Sequence, residues 1–417
     1  MKLRIKDYTQ KVGSGVTPRG GAETYLDQGI PLFRSQNVTN EGFLMEDIAY
    51  ISEEVDEAMK GTRVKRGDVL LNITGASIGR CYYTSNDFQR GNVNQHVCII
   101  RPKKRIANPA YLHYCLISNQ GQEQIDLTQS GANREGLTIE EIRNFSFDIP
   151  SKEEQQRIVD YLNAKLSAID KRMTVLEKLK DAYTRLKKST IHQAVTRGLN
   201  PNVCLKDSGI EWIGMIPEHW EVKRFKDIFR KYTTGLTPES KVEDNFSDDD
   251  RFTWITIGDM TSKYVNDSFM CLSEKVIREK EPTLSRKGSL LFSFKLSIGK
   301  TAFVGKDSYT NEAIVTIPPT KKVNLDYFFY LIPLVCQNNA TENIYGAKML
   351  NQKIIANMLL AIPSFSEQQA IAGYLDEKCT KIDAVLENIG KQIEASKRLK
   401  RAIINEAISG KAKIGNN

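Results

Sequence analysis

The sequence lacks the features that mark a membrane protein, a secreted protein, a metal protein or an enzyme. No apolar run approaches the roughly eighteen residues needed to span a bilayer. The opening Met1-Lys2-Leu3-Arg4-Ile5-Lys6-Asp7 has no apolar stretch of the kind a secretory signal needs. Seven cysteines, an odd number with no pair at C-x-x-C spacing, argue for reduced thiols packed as small hydrophobes and for a cytoplasmic setting. Only four histidines occur (His96, His113, His192, His219), none paired at ligand spacing, so no metal site is expected. The one Pro-Pro, in Ile317-Pro318-Pro319-Thr320, lacks both flanks of the Asn/Asp-Pro-Pro-Tyr/Phe loop of amino-methyltransferases. Ser297-Ile298-Gly299-Lys300-Thr301 ends like a phosphate-binding loop, but Phe294 stands where that motif requires glycine. No nuclease carboxylate set and no Ser-His-Asp or Cys-His arrangement emerges. The chain reads as non-catalytic.

What the sequence does have is length and repetition. Its 417 residues, 40% hydrophobic and 26% charged, suit a globular protein of two or three domains. The net charge of +8 permits an acidic partner without demanding one. The phrase Ile149-Pro150-Ser151-Lys152-Glu153-Glu154-Gln155-Gln156 returns 213 residues later as Ile362-Pro363-Ser364-Phe365-Ser366-Glu367-Gln368-Gln369. From there to Thr196 and Ser409 the two copies agree at 19 of 48 positions, which marks a duplication.

Each copy predicts one long helix. A proline bars entry from upstream, Ser-x-x-Glu forms a capping box, and Gly198 or Gly410 ends the run. At 1.5 Å per residue each would extend roughly 65–70 Å. Leu162, Ile169, Leu176 and Leu186, with Leu375, Ile382, Ile389 and Leu399, are expected to form the seam of an antiparallel helix pair. Apolar residues off that stripe (Val159, Leu166, Val175, Val385, Ile404) could face partner subunits instead. Ahead of each helix lies a segment of short β-type runs and helix caps, weakly alike in the two halves. Gly15-Val16-Thr17-Pro18 answers Gly235-Leu236-Thr237-Pro238, and Ser77-Ile78-Gly79-Arg80 answers Ser297-Ile298-Gly299-Lys300.

The fold class is therefore α+β: two pseudo-symmetric globular domains separated by two long antiparallel coiled-coil helices. The expected divisions are 1–150 (first domain), 151–198 (first helix), 199–220 (connector), 221–363 (second domain), 364–410 (second helix) and 411–417 (tail). Trp212, Ile213 and Trp220 suggest a packed connector rather than a swinging one.

This order of domains, the connector GLNPNVCLKDSGIEWIGMIPEHWEV and the repeated IPSxxEQQxI together resemble the specificity subunit of type I restriction-modification systems. The connector phrase precedes only the second domain, as if a circular arrangement had been opened ahead of the first. The resemblance implies two target-recognition domains, each reading half of a split, asymmetric site in double-stranded DNA. It also implies a helix pair that acts as ruler and as dock for two methyltransferase subunits, with two restriction subunits joining the assembly. S-adenosylmethionine, ATP and magnesium would belong to those partners, and this chain would hold no cofactor. Two other readings stay open: a specificity module of another phage-defence methyltransferase assembly, and a coiled-coil scaffold that binds no DNA.

Base edges call for amides and guanidinium groups, and phosphates for cations. In the first domain the candidates are Arg34, Gln36, Asn37, Asn72, Thr74, Ser77, Arg80, Arg90, Asn92, Asn94, Asn133 and Arg134. In the second they are Thr256, Asp259, Ser293, Lys295, Ser297, Lys300, Lys348 and Asn351. Arg80, Lys295 and Lys300 suit phosphates, and Arg34, Gln36, Arg90 and Asn92 suit bases.

Overall fold

The computed structural model describes residues 1–129, 136–239, 241–342, 348–412 and 414, with residue 348 described in its backbone alone. Packing divides the chain into two units, Met1–Glu177 with Gly390–Asn417, and Lys178–Ile389. The units cut across the sequence segmentation, because each takes one globular domain and an end of both long helices.

In the first unit a four-stranded antiparallel sheet runs in the order Thr9–Ser14, Val97–Pro102, Val69–Asn72, Cys81–Tyr83. A three-stranded sheet adjoins it, with Ile30–Phe33 between Ala49–Ile51 and Asn92–Val93. Val69–Asn72 is buried at every position, so Val69-Leu70-Leu71 form an unbroken apolar run rather than an alternating one. Helix Pro109–Ile117 covers this sheet. Asn108 caps it by accepting the Ala110 N–H at 2.9 Å, and Pro109 opens it at no hydrogen-bonding cost.

The second unit repeats the plan. Its five-stranded sheet runs Thr233–Thr234, Ile314–Ile317, Leu290–Ser293, Thr301–Val304, Tyr264–Val265, again with a fully buried central strand. Asn324 caps the covering helix Leu325–Asn339 through the Tyr327 N–H at 3.1 Å.

The long helices run Lys152–Arg197 and Phe365–Ile408. Within the first unit the start of one meets the end of the other: Ile158, Val159, Leu162 and Leu166 share a core with Ile404, Ala407 and Ile408. Within the second unit Ala194 and Val195 join Ile371, Ala372, Leu375 and Cys379. That is an antiparallel pairing in both.

Two expectations about the helices need correction. Leu186 and Leu399 are not in the seam; they are 51% and 50% exposed. At 3.6 residues per turn each lies about 80° around the helix from Leu176 or Ile389, whereas the next residue lies only about 20° away. That next residue is Lys187 or Lys400. Conversely Val159, Leu166 and Ile404 are buried core and offer nothing to a partner, while Val175 is 64% exposed. Leu162, Leu176, Leu375, Ile382 and Ile389 are buried, and Ile169 is half-buried.

The structure explains the repeated phrase. Ser151 and Ser364 accept the N–H of Glu154 and Glu367. The second half of the capping box is given up, since Glu154 pairs with Arg157 and Glu367 takes hydrogen bonds from Trp220 and His219. The buried Gln155 accepts from Asn108 N–H at 2.7 Å and donates to the carbonyls of Ile106 and Pro150. Gln368 does the same with Asn324 N–H and the Pro363 carbonyl. Each glutamine therefore staples a long helix to the cap of the domain helix. Gly198 and Gly410 end the long helices with φ of 73° and 71°, a conformation other residues adopt only under strain. The connector forms a hairpin of Leu205–Asp207 with Met215–Pro217, and Trp220 is fully buried.

Candidate nucleic-acid interface

The candidate loops cluster beyond the end of the central strand in each domain, and most of their polar side chains face inward. Asn37 accepts the Arg34 N–H at 3.1 Å and donates to the Leu44 carbonyl at 3.0 Å, so it holds its own loop. Asn72, fully buried, donates to the carbonyls of Ser35 and Val38 and ties that loop to the central strand. Thr74 bonds His96 at 2.7 Å, and Asn94 is buried and accepts the His96 N–H. The Arg34 guanidinium reaches the Asp47 carbonyl at 2.5 Å and lies 5.6 Å from the Tyr25 ring centroid.

Arg90 and Asn92 belong to a different structure, a knot around the buried Asp56. Asn92 donates to its Oδ1 at 3.0 Å, and Arg90 and Arg63 donate to its Oδ2 at 2.6 Å each. Burial alone would raise the Asp56 pKa. The hydrogen bonds from Asn92, Arg90 and Arg63 outweigh it and hold the carboxyl below its ordinary value.

The second domain follows the same logic. Asp259, at the place of Asn37, accepts from Thr256 N–H, Thr256 hydroxyl and Ser268 hydroxyl at 2.7–3.0 Å. Ser293, at the place of Asn72, is buried, donates to the Ser297 carbonyl and accepts the Lys300 N–H. Lys300 turns inward to the Ile257 carbonyl at 2.9 Å, Lys295 meets Glu312 at 3.3 Å, and Asn351 caps the helix Gln352–Asn357.

Asn37, Asn72, Asn92, Asn94 and Ser293 are thus buried framework rather than reading surface. The physical reason is general: the amides and hydroxyls that suit base edges also suit tight loops, and burial forces them to be satisfied internally. Gln36, Arg80 and Ser297 remain exposed, and Ser77 is half-buried. Asn133, Arg134 and the side chain of Lys348 lie outside the described residues.

Sequence reading missed Leu296. It sits between Lys295 and Ser297, 81% exposed with φ of 57°, an apolar tip in a conformation unusual for leucine. Phe269 is fully exposed on the loop that Asp259 anchors through Ser268. Neither stands out in a sequence, since an apolar residue in a polar loop looks like a strand.

The basic runs near both helix ends, Arg185-Leu186-Lys187-Lys188 and Arg398-Leu399-Lys400-Arg401, are partly spent in the helix pair. Lys187 bonds Asp383 at 2.6 Å, and Lys400 bonds Asp170 at 2.6 Å, the same contact made once in each unit.

With this geometry established, comparison with known proteins decides the family. The family described as "Type I restriction modification DNA specificity domain" matches residues 2–181 and 217–395, once on each half. The chain belongs to this family. Among curated relatives, the MjaVIII specificity subunit of Methanocaldococcus jannaschii is 22% identical over 99% of this chain and 93% of that one. The MjaIX specificity subunit from the same organism is 28% identical, with the match spanning 45% of this chain and 43% of that protein. The EcoKI specificity subunit of Escherichia coli is 20% identical over 93% and 84%. A solved chain from work on complex assembly and conformational transition of the type I R-M system superposes with a TM-score of 0.74 at 15% identity, covering 98% and 97%. The HsdS subunit of Thermoanaerobacter tengcongensis gives 0.51 at 16% identity, covering 99% and 97%. The fold is thus that of a type I specificity subunit, two target-recognition domains with two long antiparallel helices. Among the described residues no helix is long and apolar enough to cross a membrane.

Proposed function

We propose that this chain is the DNA sequence-recognition subunit of a type I restriction-modification complex. It binds a bipartite, asymmetric site in double-stranded DNA through its two target-recognition domains, and its long helices set the spacing between the half-sites. It also scaffolds two methyltransferase and two restriction subunits in the cytoplasm. The chain itself is non-catalytic. S-adenosylmethionine, ATP and magnesium act in the partner subunits, where adenine methylation and cleavage take place.

One observation carries this reading. The two domains keep the same loop framework and change what it presents outward: Gln36 against Gly258, and the exposed Gly75-Ala76 tip against the exposed Leu296. A duplicated frame with different exposed loop tips is what two different half-sites need.

The test is single-molecule sequencing of methylated adenines in the host genome, with the gene intact and deleted. A split motif that disappears on deletion is expected; an unchanged methylome sinks the reading. Within that assay, Gln36→Ala with Arg80→Ala relaxes one half of the motif and leaves the other half intact.

A further inference from the structure

Positive charge gathers at the opposite end of the sheet from these loops. In the first unit a cavity of about 780 Å³ is lined by Lys65, Arg66, Arg101, Lys103, Lys104 and Arg105, with no carboxylate among its lining residues. The turn Lys65-Arg66-Gly67 leads into the central strand Val69–Asn72, and the run Lys103-Lys104-Arg105 leaves the neighbouring strand Val97–Pro102. The two segments touch: a Cβ on Gly67 would lie 3.5 Å from the Lys104 side chain. Arg101 is committed to Asp68, to which it donates twice at 2.7 Å. Lys65, Lys104 and Arg105 are exposed and have no side-chain partner among the described residues. Lys11 beside them has its pKa lowered, by burial first and then by Arg101.

The second unit keeps this arrangement in a diverged sequence. Arg286-Lys287-Gly288 leads into Leu290–Ser293, and Lys321-Lys322 follows Ile314–Ile317. Gly67 and Gly288 hold φ of 83° and 82°, and a Cβ on Gly288 would meet the Pro319 side chain at 3.7 Å. Lys287, Lys321 and Lys322 are exposed.

We propose that this basic end of each domain binds the phosphate backbone of a DNA duplex independently of sequence, as a surface separate from the reading loops. The proposal rests on the function proposed above. Phosphate contacts position a protein and carry no sequence information, so one surface can serve both domains while the reading loops diverge. Exposed lysines without an apolar centre favour a nucleic acid over a protein partner, because protein interfaces are depleted in lysine and built around aromatic cores.

The experiment measures binding of the full chain to two duplexes, one carrying its methylation motif and one scrambled, across a salt series. The first variant combines Lys65→Gln, Lys104→Gln and Arg105→Gln; the second combines Lys287→Gln, Lys321→Gln and Lys322→Gln. Each is expected to weaken both duplexes by the same factor and to reduce the slope of log affinity against log salt by about 2–3, from about 0.9 per phosphate contact. The preference for the motif should not change. Unaltered slopes in both variants, with normal motif preference, overturn this inference alone. Unaltered slopes with loss of a co-purifying subunit assign the surface to an acidic protein and overturn it as well. Failure of the unmodified chain to bind any duplex overturns both this inference and the function beneath it.

Discussion

The layer beneath helix Glu53–Ala58 of the first domain and helix Glu274–Lys280 of the second shows how far two copies of one frame can drift. In the first domain it is polar: Asp56 is buried between Asn92, Arg63 and Arg90. In the second domain the matching positions are Ile277, Tyr309 and Leu284, in a cluster with Trp254, Leu272 and Val276. The backbone pairing is the same in both, Leu32 against Asn92 and Trp254 against Tyr309, each in a parallel pair. A second exchange lies beside it, where the Asp68–Arg101 ion pair is replaced by Ser289 and Pro318. A buried ion network and an apolar cluster of similar volume are thermodynamically close substitutes, so a fold can swap one for the other. What it cannot do is keep half of the network.

The largest expected effect breaks that network. Asp56→Ala strands Arg63, Arg90 and Asn92 without their acceptor and should destabilise the first unit by about 3–5 kcal/mol. Installing the second domain's set, Asp56→Ile with Arg63→Leu and Asn92→Tyr, should recover most of that loss. Amide hydrogen exchange resolved by unit measures both; equal loss in the single and triple variants would break the comparison.

A smaller effect concerns pH. His113 packs in a ring cluster with Tyr82, Tyr83 and Tyr114. Burial lowers its pKa to about 3. The unfolded chain binds this proton near pH 6.5 and the folded chain does not. Stability from this group is therefore full above pH 6.5 and is lost as pH falls from there toward 3. The loss reaches about 2 kcal/mol at pH 5. The second domain has Phe329 at this place, so His113→Phe should flatten the profile of the first unit between pH 7 and 5. In the second domain the rings of Tyr264, Phe303, Phe329 and Tyr330 surround Lys263, which also pairs with Asp326 and Asp376.

The smallest effect sharpens the symmetry of the helix pair. Double-mutant cycles on Lys400 with Asp170 and on Lys187 with Asp383 should each give about 0.2–1 kcal/mol, the range for pairs whose carboxylate stays half exposed. The Lys400 pair should be the stronger, since Lys400 is 16% exposed against 31% for Lys187. The reverse order would show that the lysine stem's burial does not set the coupling.

The long helices were legible because their signals are local: a proline before, a serine cap, a glycine after, and an apolar stripe between. The stripe misled where heptad spacing was carried too far, at Leu186 and Leu399, and where it left Val159, Leu166 and Ile404 outside the core. The structure brings the candidate loops together beyond the central strand of each domain, but it buries many of the residues chosen from them. Asn72 and Arg80 flank the same turn and look equally suited to DNA, yet one is buried and the other exposed. No local pattern separates them, because an amide hydrogen-bonds as readily to its own backbone as to a base.

The sequence by itself determined the duplication, the α+β domains, the helix ends and the family, since each rests on spacing, capping or repeated words. Only the tertiary structure decided which polar residues are framework and which face water. It also brought Lys65, Lys104 and Arg105 onto one surface. Those assignments depend on contacts between segments far apart in the chain, where burial, rather than residue type, sets what a side chain can do.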